Sequence, residues 1–223
     1  MGIKLKLRSL FLKRKSVQDY SIINAIRHSL VSESSMVLHL GAHQGQEASF
    51  YSHLKKKVVW IEANPIVFNS LQQKVSLHAG QSAMCALLGD VNQNKVEFHI
   101  SNNNAQSSSI FKFGADMNHQ KLAMISSITL PMHRLDSIIK PHEIIKNSHW
   151  VVDVQGAELL ALRGAGSLIE KAFSLEVEVS TKEEYSGGAK FRELKQFLNG
   201  KGFFALWEPF EFSHEDIIFI RQS

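Results

Sequence analysis

Apolar strand-like runs alternate with helical patterns along most of the chain, and this alternation limits the folds that it can adopt. The strand-like runs fall at residues 36–42, 58–63, 83–88, 95–100, 127–133, 149–154, 173–179, 203–209 and 216–222. Helical stretches such as GQEASFYSHLKK and AELLALRGAGSLIEK separate several of them. Strands that alternate with helices predict βαβ units, and therefore a parallel sheet with helices on both faces.

The last two strand-like runs indicate a different connection. Only FEFSHE separates FFALWEP from DIIFIRQ, which is too short for a crossover helix, so these strands should form an antiparallel hairpin. The predicted fold class is therefore α/β, with a mostly parallel sheet that ends in an antiparallel C-terminal strand.

The chain length and the distribution of charge limit the possible domain organisations. The 223 residues are 44% hydrophobic, which is enough for one sizeable core. We predict a single domain over residues 34–223, preceded by a basic helical extension over residues 1–33. The first fifteen residues carry six basic side chains and no acidic one, which accounts for the formal net charge of +4. The remainder is close to neutral, so the fold carries no basic nucleic-acid footprint and no nucleic-acid partner is expected.

The N-terminal stretch MGIKLKLRSLFLKRKS has no continuous apolar core and is a poor secretory signal. It is either a solvated helix or a basic amphipathic segment that contacts an anionic membrane weakly. We expect a cytoplasmic protein, either free or peripheral at the inner membrane face. The single cysteine, Cys85, is predicted to be a small core residue, and its use fits a reducing compartment. The sequence gives no indication of the oligomeric state.

The stretch MVLHLGAHQGQEASFY, residues 36–51, combines a strand, a glycine turn and the start of a helix. The turn contains Gly41, Ala42, His43 and Gly45. Glycine lets the backbone turn sharply and pass close to a ligand, and the helix start supplies free amide groups. The turn matches neither G-x-G-x-x-G nor a P-loop, which counts against a dinucleotide and against a nucleoside triphosphate.

Glu62 ends the second strand about twenty residues after Gly41, where doubly wound sheets place a carboxylate that binds ribose hydroxyls. Ala63 and Asn64 follow it, with Asn64 as a helix N-cap and Pro65 at the first helical position. The alternative for Glu62 is a strand-end residue that faces solvent.

A third polar segment is VVDVQGAELLALRGAG, residues 151–166. A buried strand ends at Asp153, and Gln155 lies in the turn before an amphipathic helix that begins near Glu158. Ligands of open α/β sheets bind outside the carboxyl ends of the strands. We therefore expect these three side chains to meet Gly41 and Glu62 at one edge.

These motifs together resemble the FkbM-type S-adenosylmethionine-dependent methyltransferases. The resemblance rests on LGAHQG, EANP and VVDVQGAELLALRGAG, and continues through ALLGD, SNNNAQSSSIF, RLDSII, EVS and DIIFI. It runs from about residue 34 to the C-terminus, which makes the predicted domain at 34–223 a methyltransferase domain. It implies the Rossmann-like class I methyltransferase sheet with an antiparallel last strand, and S-adenosylmethionine as the cofactor.

The resemblance also implies cofactor contacts from the glycine turn, from Glu62, Ala63 and Asn64, and from Ser108 and Gln155. His39 departs from the family, which commonly has Asp or Asn at that position, near the amino-acid end of the cofactor. A neutral imidazole would accept a hydrogen bond from the cofactor ammonium, and a protonated one would repel it. This predicts weaker cofactor binding at the acidic end of a range from about pH 5.5 to 8; the alternative is a packed strand histidine.

Asp153 is the first candidate for a catalytic residue on the acceptor side, and Glu178 at the end of FSLEVEV is the second. A strand-end aspartate is also often structural. The two carboxylates would alternatively suit a divalent cation that binds a sugar diol, but no compact ligand motif requires one, and no metal is predicted. Tyr185 is either a lid over the acceptor or an ordinary loop aromatic.

The favoured function is an O-methyltransferase that acts on a hydroxyl of a carbohydrate, a glycan or another small polar metabolite. The acceptor class follows from the resemblance. Two alternatives remain: an RNA-modifying methyltransferase, although no aromatic and basic RNA platform is visible, and a non-catalytic protein that binds the cofactor or serves as a scaffold.

Overall fold

A seven-stranded sheet organises the chain, whose computed structural model describes residues 20–115, 117, 121–211 and 214–222. Its strands are β1 (Val37–Leu40), β2 (Val58–Glu62), β3 (Gln81–Cys85), β7 (Ser148–Val152), β8 (Ala172–Ser180), β9 (Phe203–Ala205) and β10 (His214–Arg221). They lie in the order β3-β2-β1-β7-β8-β10-β9. All neighbours pair in parallel except β10, which is antiparallel to both β8 and β9. The predicted α/β class and the antiparallel C-terminal strand are confirmed.

The helices lie on both faces of this sheet. They are α1 (Tyr20–Glu33), α2 (Ala48–His53), α3 (Pro65–Val75), α4 (Leu135–Ile138), α5 (Glu158–Gly164) and α6 (Phe191–Gly200), with 3-10 turns at Pro141–Glu143 and Gly166–Lys171. Buried residues of α5 and α6 belong to the larger core cluster, and those of α2 and α3 to a smaller one. The strands β1, β2 and β7 contribute to both clusters, because successive side chains point to opposite faces.

A second, three-stranded sheet was not predicted. It has the order β4-β6-β5, with β4 (Leu87–Leu88), β5 (Gln93–Ser101) and β6 (Met124–His133). The strand-like run at 83–88 divides between the two sheets after Cys85. The runs at 95–100 and 127–133 pair with each other in antiparallel fashion. Much of β6 is exposed on alternate residues, as expected for a sheet with one solvated face.

The prediction that Cys85 is a core residue is wrong. Cys85 is an exposed, free cysteine, because β3 is the edge strand of the main sheet and Cys85 is its last residue. Trp60, Trp150 and Trp207 are buried.

Helix α1 packs onto the sheet, since its residues Ile26, Leu30 and Val31 are buried. The boundary between an extension at 1–33 and a domain at 34–223 stays a prediction. The basic stretch at 1–15 and its predicted membrane contact lie outside the described residues. Within the described part of the chain, no helix has the length and apolar character needed to cross a bilayer.

Candidate active site

The three polar segments of the sequence meet at one cavity. Gly41, Glu62 and Asp153 follow or end β1, β2 and β7, and all three line a cavity of about 560 Å³. This volume lies in the range of roughly 300–1,000 Å³ that is typical of small-molecule sites. The cavity opens at the carboxyl ends of the parallel strands, as expected for an open α/β sheet.

Gly41 joins the turns after β1 and β7. Its φ is +81°, and a Cβ atom there would lie 1.6 Å from the carbonyl oxygen of Asp153. Only glycine therefore fits this position. The close approach holds the glycine turn and the Asp153 backbone side by side on the cavity wall.

Glu62 fastens the glycine turn to the start of α3. Its two carboxylate oxygens accept backbone N–H groups of His43 and Asn64, each at 2.8 Å. Burial raises the pKa of Glu62, and these backbone hydrogen bonds oppose the rise. Each oxygen keeps a further lone pair, so the carboxylate can still accept hydroxyl groups from a ligand in the cavity.

His39 lies on the cavity wall and also packs inside the fold. Its ring stacks on Trp60 with 4.7 Å between ring centroids, and its Nδ1 is 3.3 Å from the hydroxyl of Tyr51. Burial lowers the pKa of His39 to about 3. A pKa this low leaves the imidazole neutral from about pH 5.5 to 8, which argues against the expected pH dependence of cofactor binding through this residue.

Most of the residues predicted from sequence line this cavity. On its wall are His39, Gly41, Ala42, His43, Glu62, Ala63, Ser108, Asp153, Gln155 and Glu178. Gly45 and Asn64 are not among the described lining residues. A Cβ on Gly45 would lie 2.7 Å from Leu71, so this glycine lets the turn pack on α3. The side chain of Asn64 caps α3 by accepting the N–H of Ile66 at 3.0 Å, so both residues act on the cavity indirectly.

The Ser- and Asn-rich loop that follows β5 closes one side of the cavity and is internally hydrogen-bonded. Ser108 Oγ accepts the N–H of Ser101 at 3.1 Å. The loop bonds to the glycine turn, where Nε2 of His43 lies 2.9 Å from the carbonyl oxygen of Asn104. Asn104 and the following Ala105 both have positive φ, of 58° and 64°, which folds the loop back over the turn.

Gln155 bridges the two candidate catalytic carboxylates. Its Nε2 donates to Asp153 Oδ1 at 2.5 Å and to Glu178 Oε2 at 2.7 Å. The hydroxyl of Tyr185 donates to Gln155 Oε1 at 2.5 Å, which fixes the orientation of the amide. Tyr185 is only 4% exposed, and it supports the site through this hydrogen bond to Gln155.

Burial raises the pKa of Asp153 well above its ordinary value, and the nearby charge of Glu178 raises it further. A third carboxylate, Glu158, lies close to Asp153 and Glu178. Its Oε1 accepts the N–H groups of Val154 and Gly156, each at 3.0 Å. Oxygens of Asp153, Glu158 and Glu178 lie within 4.8 Å of one another, a spacing that a hard cation can bridge. The metal-binding alternative therefore stays open.

His214 and Glu184 line the cavity but were missed in the sequence. His214 Nε2 lies 2.6 Å from Glu178 Oε1, and its Nδ1 lies 2.7 Å from Glu184 Oε2. Burial alone would lower the pKa of His214, but the hydrogen bonds and charges of these two carboxylates raise it to about 11. No local motif marks His214, which lies in the segment FEFSHE that we interpreted as a short connection. Only the antiparallel pairing of β10 with β8 brings it to the site.

A family model described as the Methyltransferase FkbM domain matches residues 39–205. No curated protein sequence matches the chain. Similar solved structures include an rRNA methylase from Streptococcus thermophilus, with 11% identity, coverage of 93% of this chain and 100% of that chain, and a TM-score of 0.49. Magnesium protoporphyrin IX methyltransferase from Synechocystis PCC 6803 with bound SAH is similar at 10% identity, over 91% of this chain and 80% of that one, with a TM-score of 0.47. Fibrillarin from Aeropyrum pernix in complex with S-adenosyl-L-methionine is similar at 16% identity, over 97% of this chain and 74% of that one, with a TM-score of 0.45.

Proposed function

The chain belongs to the FkbM family of S-adenosylmethionine-dependent methyltransferases, and from this premise we propose that it is an O-methyltransferase acting on a hydroxyl of a carbohydrate, a glycan or another small polar metabolite. The observation that carries the proposal is the convergence of Gly41, Glu62 and Asp153 on one cavity. We assign Gly41 and Glu62 to the half of the cavity that binds the cofactor, and Asp153 to the half that binds the acceptor.

The cofactor half fits a nucleoside. Glu62 is buried yet keeps free lone pairs towards the cavity, which suits a vicinal diol such as that of ribose. Leu87, Leu88 and Phe98 supply an apolar part of the same wall, which suits a flat, weakly polar base. The glycine turn brings backbone atoms of Gly41 to the wall, and His39 lies beside them. When bound, S-adenosylmethionine supplies a methyl carbon activated by a positively charged sulfur.

Asp153 is positioned to take the proton of the acceptor hydroxyl. Transfer to oxygen breaks the O–H bond as the new O–C bond forms, so the proton needs a base within hydrogen-bond reach. The raised pKa of Asp153 makes it a stronger base than an ordinary aspartate. Gln155 holds Asp153 and Glu178 at a fixed separation, so that Glu178 can accept a second acceptor hydroxyl and orient the first.

A reducing, cytoplasmic location is part of the proposal. It is supported by the single cysteine, which is free and exposed at the edge of the sheet.

Calorimetry and methyl-transfer assays test the function together. We expect S-adenosylmethionine and S-adenosylhomocysteine to bind at one site per chain. We further expect the methyl group of labelled cofactor to appear in hydroxyl compounds when the enzyme is offered sugars, glycan extracts and RNA in separate reactions. Labelled RNA alone would refute the proposed acceptor class. Cofactor binding without transfer to any of these acceptors would favour a non-catalytic protein.

A further inference from the structure

The cavity is lined by several carboxylates and by few basic side chains. Among the described residues, the carboxylates that line the cavity as a whole are Glu47, Glu62, Asp153, Glu178 and Glu184. No lysine or arginine lies among its described lining residues. Sites that bind phosphate or carboxylate groups in proteins rely on arginine, lysine or free backbone N–H groups.

The imidazolium of His214, a cation at this end of the cavity, is already paired. Both of its ring nitrogens face carboxylates, Glu178 on one side and Glu184 on the other. Two carboxylates and one imidazolium together carry a net negative charge. The remaining lone pairs of the carboxylates can accept hydrogen bonds from a ligand. Both ring nitrogens of His214 are engaged by these carboxylates and are therefore not free to bind an anion in the cavity.

Two further histidines line the described wall; one is neutral, and the ring nitrogens of the other are engaged by the protein. His39 is kept neutral by burial, which lowers its pKa to about 3. In His43, Nε2 lies 2.9 Å from the carbonyl oxygen of Asn104, and Nδ1 lies 3.0 Å from Nε2 of Gln46. Both of its ring nitrogens therefore have partners in the protein.

Three backbone N–H groups in the described turn after β7 already have acceptors within the protein. The N–H groups of Val154 and Gly156 both donate to Glu158, and the N–H of Ala157 donates to the carbonyl oxygen of Val154 at 3.4 Å. Glu158 thus occupies, from within the protein, the position that a bound anion would take.

We propose that the acceptor half of the cavity, formed by Asp153, Gln155, Glu178, Glu184 and His214, selects an uncharged, hydroxyl-rich group and excludes acceptors that carry phosphate or carboxylate at the methylated unit. The inference rests on the proposed function and makes its acceptor class narrower. Hydroxyl groups donate to the free lone pairs of Asp153 and Glu178, and the amide of Gln155 keeps these two acceptors at a fixed spacing. A phosphate in the same place would face three carboxylates, whereas the imidazole of His214 is already paired with two of them, and like charges brought together in an interface repel strongly.

Labelled methyl transfer to a mixed acceptor pool tests this selection. The pool contains free neutral oligosaccharides, oligosaccharides with phosphate or uronic acid, and total RNA, and the products are separated on an anion exchanger. Reactions are run once with EDTA and once with Mg²⁺, so that a cation bridging an anionic acceptor to the carboxylates is detected. We expect at least about tenfold more label in the unretained, neutral fraction than in the retained one.

The outcomes separate this inference from the function on which it rests. Label mainly in the retained sugars or in RNA, under either condition, would overturn the inference and leave a working methyltransferase. No label in any fraction, with cofactor binding intact, would count against the proposed function itself, and the inference would fall with it.

A second measurement needs no acceptor. Inorganic phosphate is added to the enzyme loaded with S-adenosylhomocysteine, and the melting temperatures of the wild type, His214→Gln and the surface control His142→Gln are compared. If His214 is fully engaged by Glu178 and Glu184, phosphate shifts all three proteins equally. A shift that is smaller in His214→Gln than in His142→Gln would show that His214 provides an anion site, contrary to the proposal. Conversely, phosphate is expected to raise the melting temperature of Glu184→Lys by more than that of the wild type, and an equal shift would count against the proposal.

Discussion

The guanidinium of Arg27, in α1, binds the carboxylate of Glu176 in the middle of β8, with Nε 2.7 Å from Oε1 and 2.8 Å from Oε2. The side chain of Glu176 is only 5% exposed. This ion pair fixes the first described helix to the sheet, two residues along β8 from Glu178 in the cavity.

Arg27→Ala is therefore expected to destabilise the protein, because it leaves a buried carboxylate without its cation. Breaking a buried pair costs about 3 kcal/mol or more, and the partial exposure of Arg27 places the expected loss near this lower value. Denaturant unfolding measures it, with Arg192→Ala, an exposed position on α6, as the control. Equal stabilities of the two variants would mean that the pair contributes little.

Gly41→Ala and Gly200→Ala form a matched pair. At Gly41 the new methyl group would enter the carbonyl of Asp153, and the left-handed φ adds about 1–2 kcal/mol of strain. At Gly200 no described atom lies within 4 Å of the position that a Cβ would take. We expect Gly41→Ala to lower both the free energy of unfolding and the affinity for S-adenosylhomocysteine, whereas Gly200→Ala leaves both nearly unchanged. An unaltered Gly41→Ala protein would mean that the two turns are not in close contact.

Glu62→Gln is expected to weaken cofactor binding by about tenfold or more, since a hydrogen bond to a charged group contributes about 1.5–3 kcal/mol. Calorimetry with S-adenosylhomocysteine measures the change, and Glu170→Gln, exposed and far along the chain from the cavity, is the control. Because Glu62 also accepts two backbone N–H groups, thermal unfolding is recorded in parallel. Unchanged affinity in a folded variant would refute the assignment of Glu62 to the ribose.

Asp153→Asn is expected to lower turnover by about a hundredfold or more, the usual contribution of a general base, while the cofactor still binds. As a base, Asp153 must lose its proton, so the wild-type rate should rise with pH as the group ionises. Glu178→Gln removes the charge that raises the pKa of Asp153, so the rising part of the profile should move to lower pH. Full turnover in Asp153→Asn, measured beside the control Asp136→Asn, would exclude this role.

His149 should make the fold sensitive to acid. Burial, and then the charge of Arg27, lower the pKa of His149 to about 3 in the folded protein, against about 6.5 in the unfolded chain. Protons therefore bind preferentially to the unfolded chain between these values, and stability is lost as the pH falls below about 6.5.

In His149→Leu this contribution is absent. The loss of unfolding free energy between pH 6.5 and 5 should therefore be smaller than in the wild type by up to about 1.4 kcal/mol per pH unit. Denaturant unfolding at several pH values measures it, with the exposed His142→Leu as the control. Identical slopes in the wild type and His149→Leu would contradict the lowered pKa.

Local patterns predicted much of the main sheet and part of the site. Gly41, Glu62 and Asp153 are recognisable because each stands next to an apolar strand, and chain order then places all three at one edge. Asn64 and Pro65 are recognisable as a helix start for the same local reason. The small sheet was missed because the period-2 pattern of β5 and β6 does not state which strand each one pairs with.

The charge environment of the cavity depended on tertiary structure. The orientation and the neutral state of His39 follow from its packing against Trp60 and Tyr51. No local sequence pattern predicts these ring contacts. The same holds for the edge position that exposes Cys85. His214 lies 36 residues from Glu178 in the sequence, in a segment that we interpreted as a short connection between strands.

The sequence by itself determined the α/β class, the antiparallel last strand and the family, because these depend on the order of local patterns along the chain. Only the tertiary structure decided that His214 joins Glu178 and Glu184, and that Gln155 and Tyr185 hold the two candidate catalytic carboxylates together. The physical reason is that pKa values and hydrogen-bond partners depend on distance and burial in space. Residues far apart in the sequence come within hydrogen-bond distance only through tertiary contacts, such as the pairing of β10 with β8.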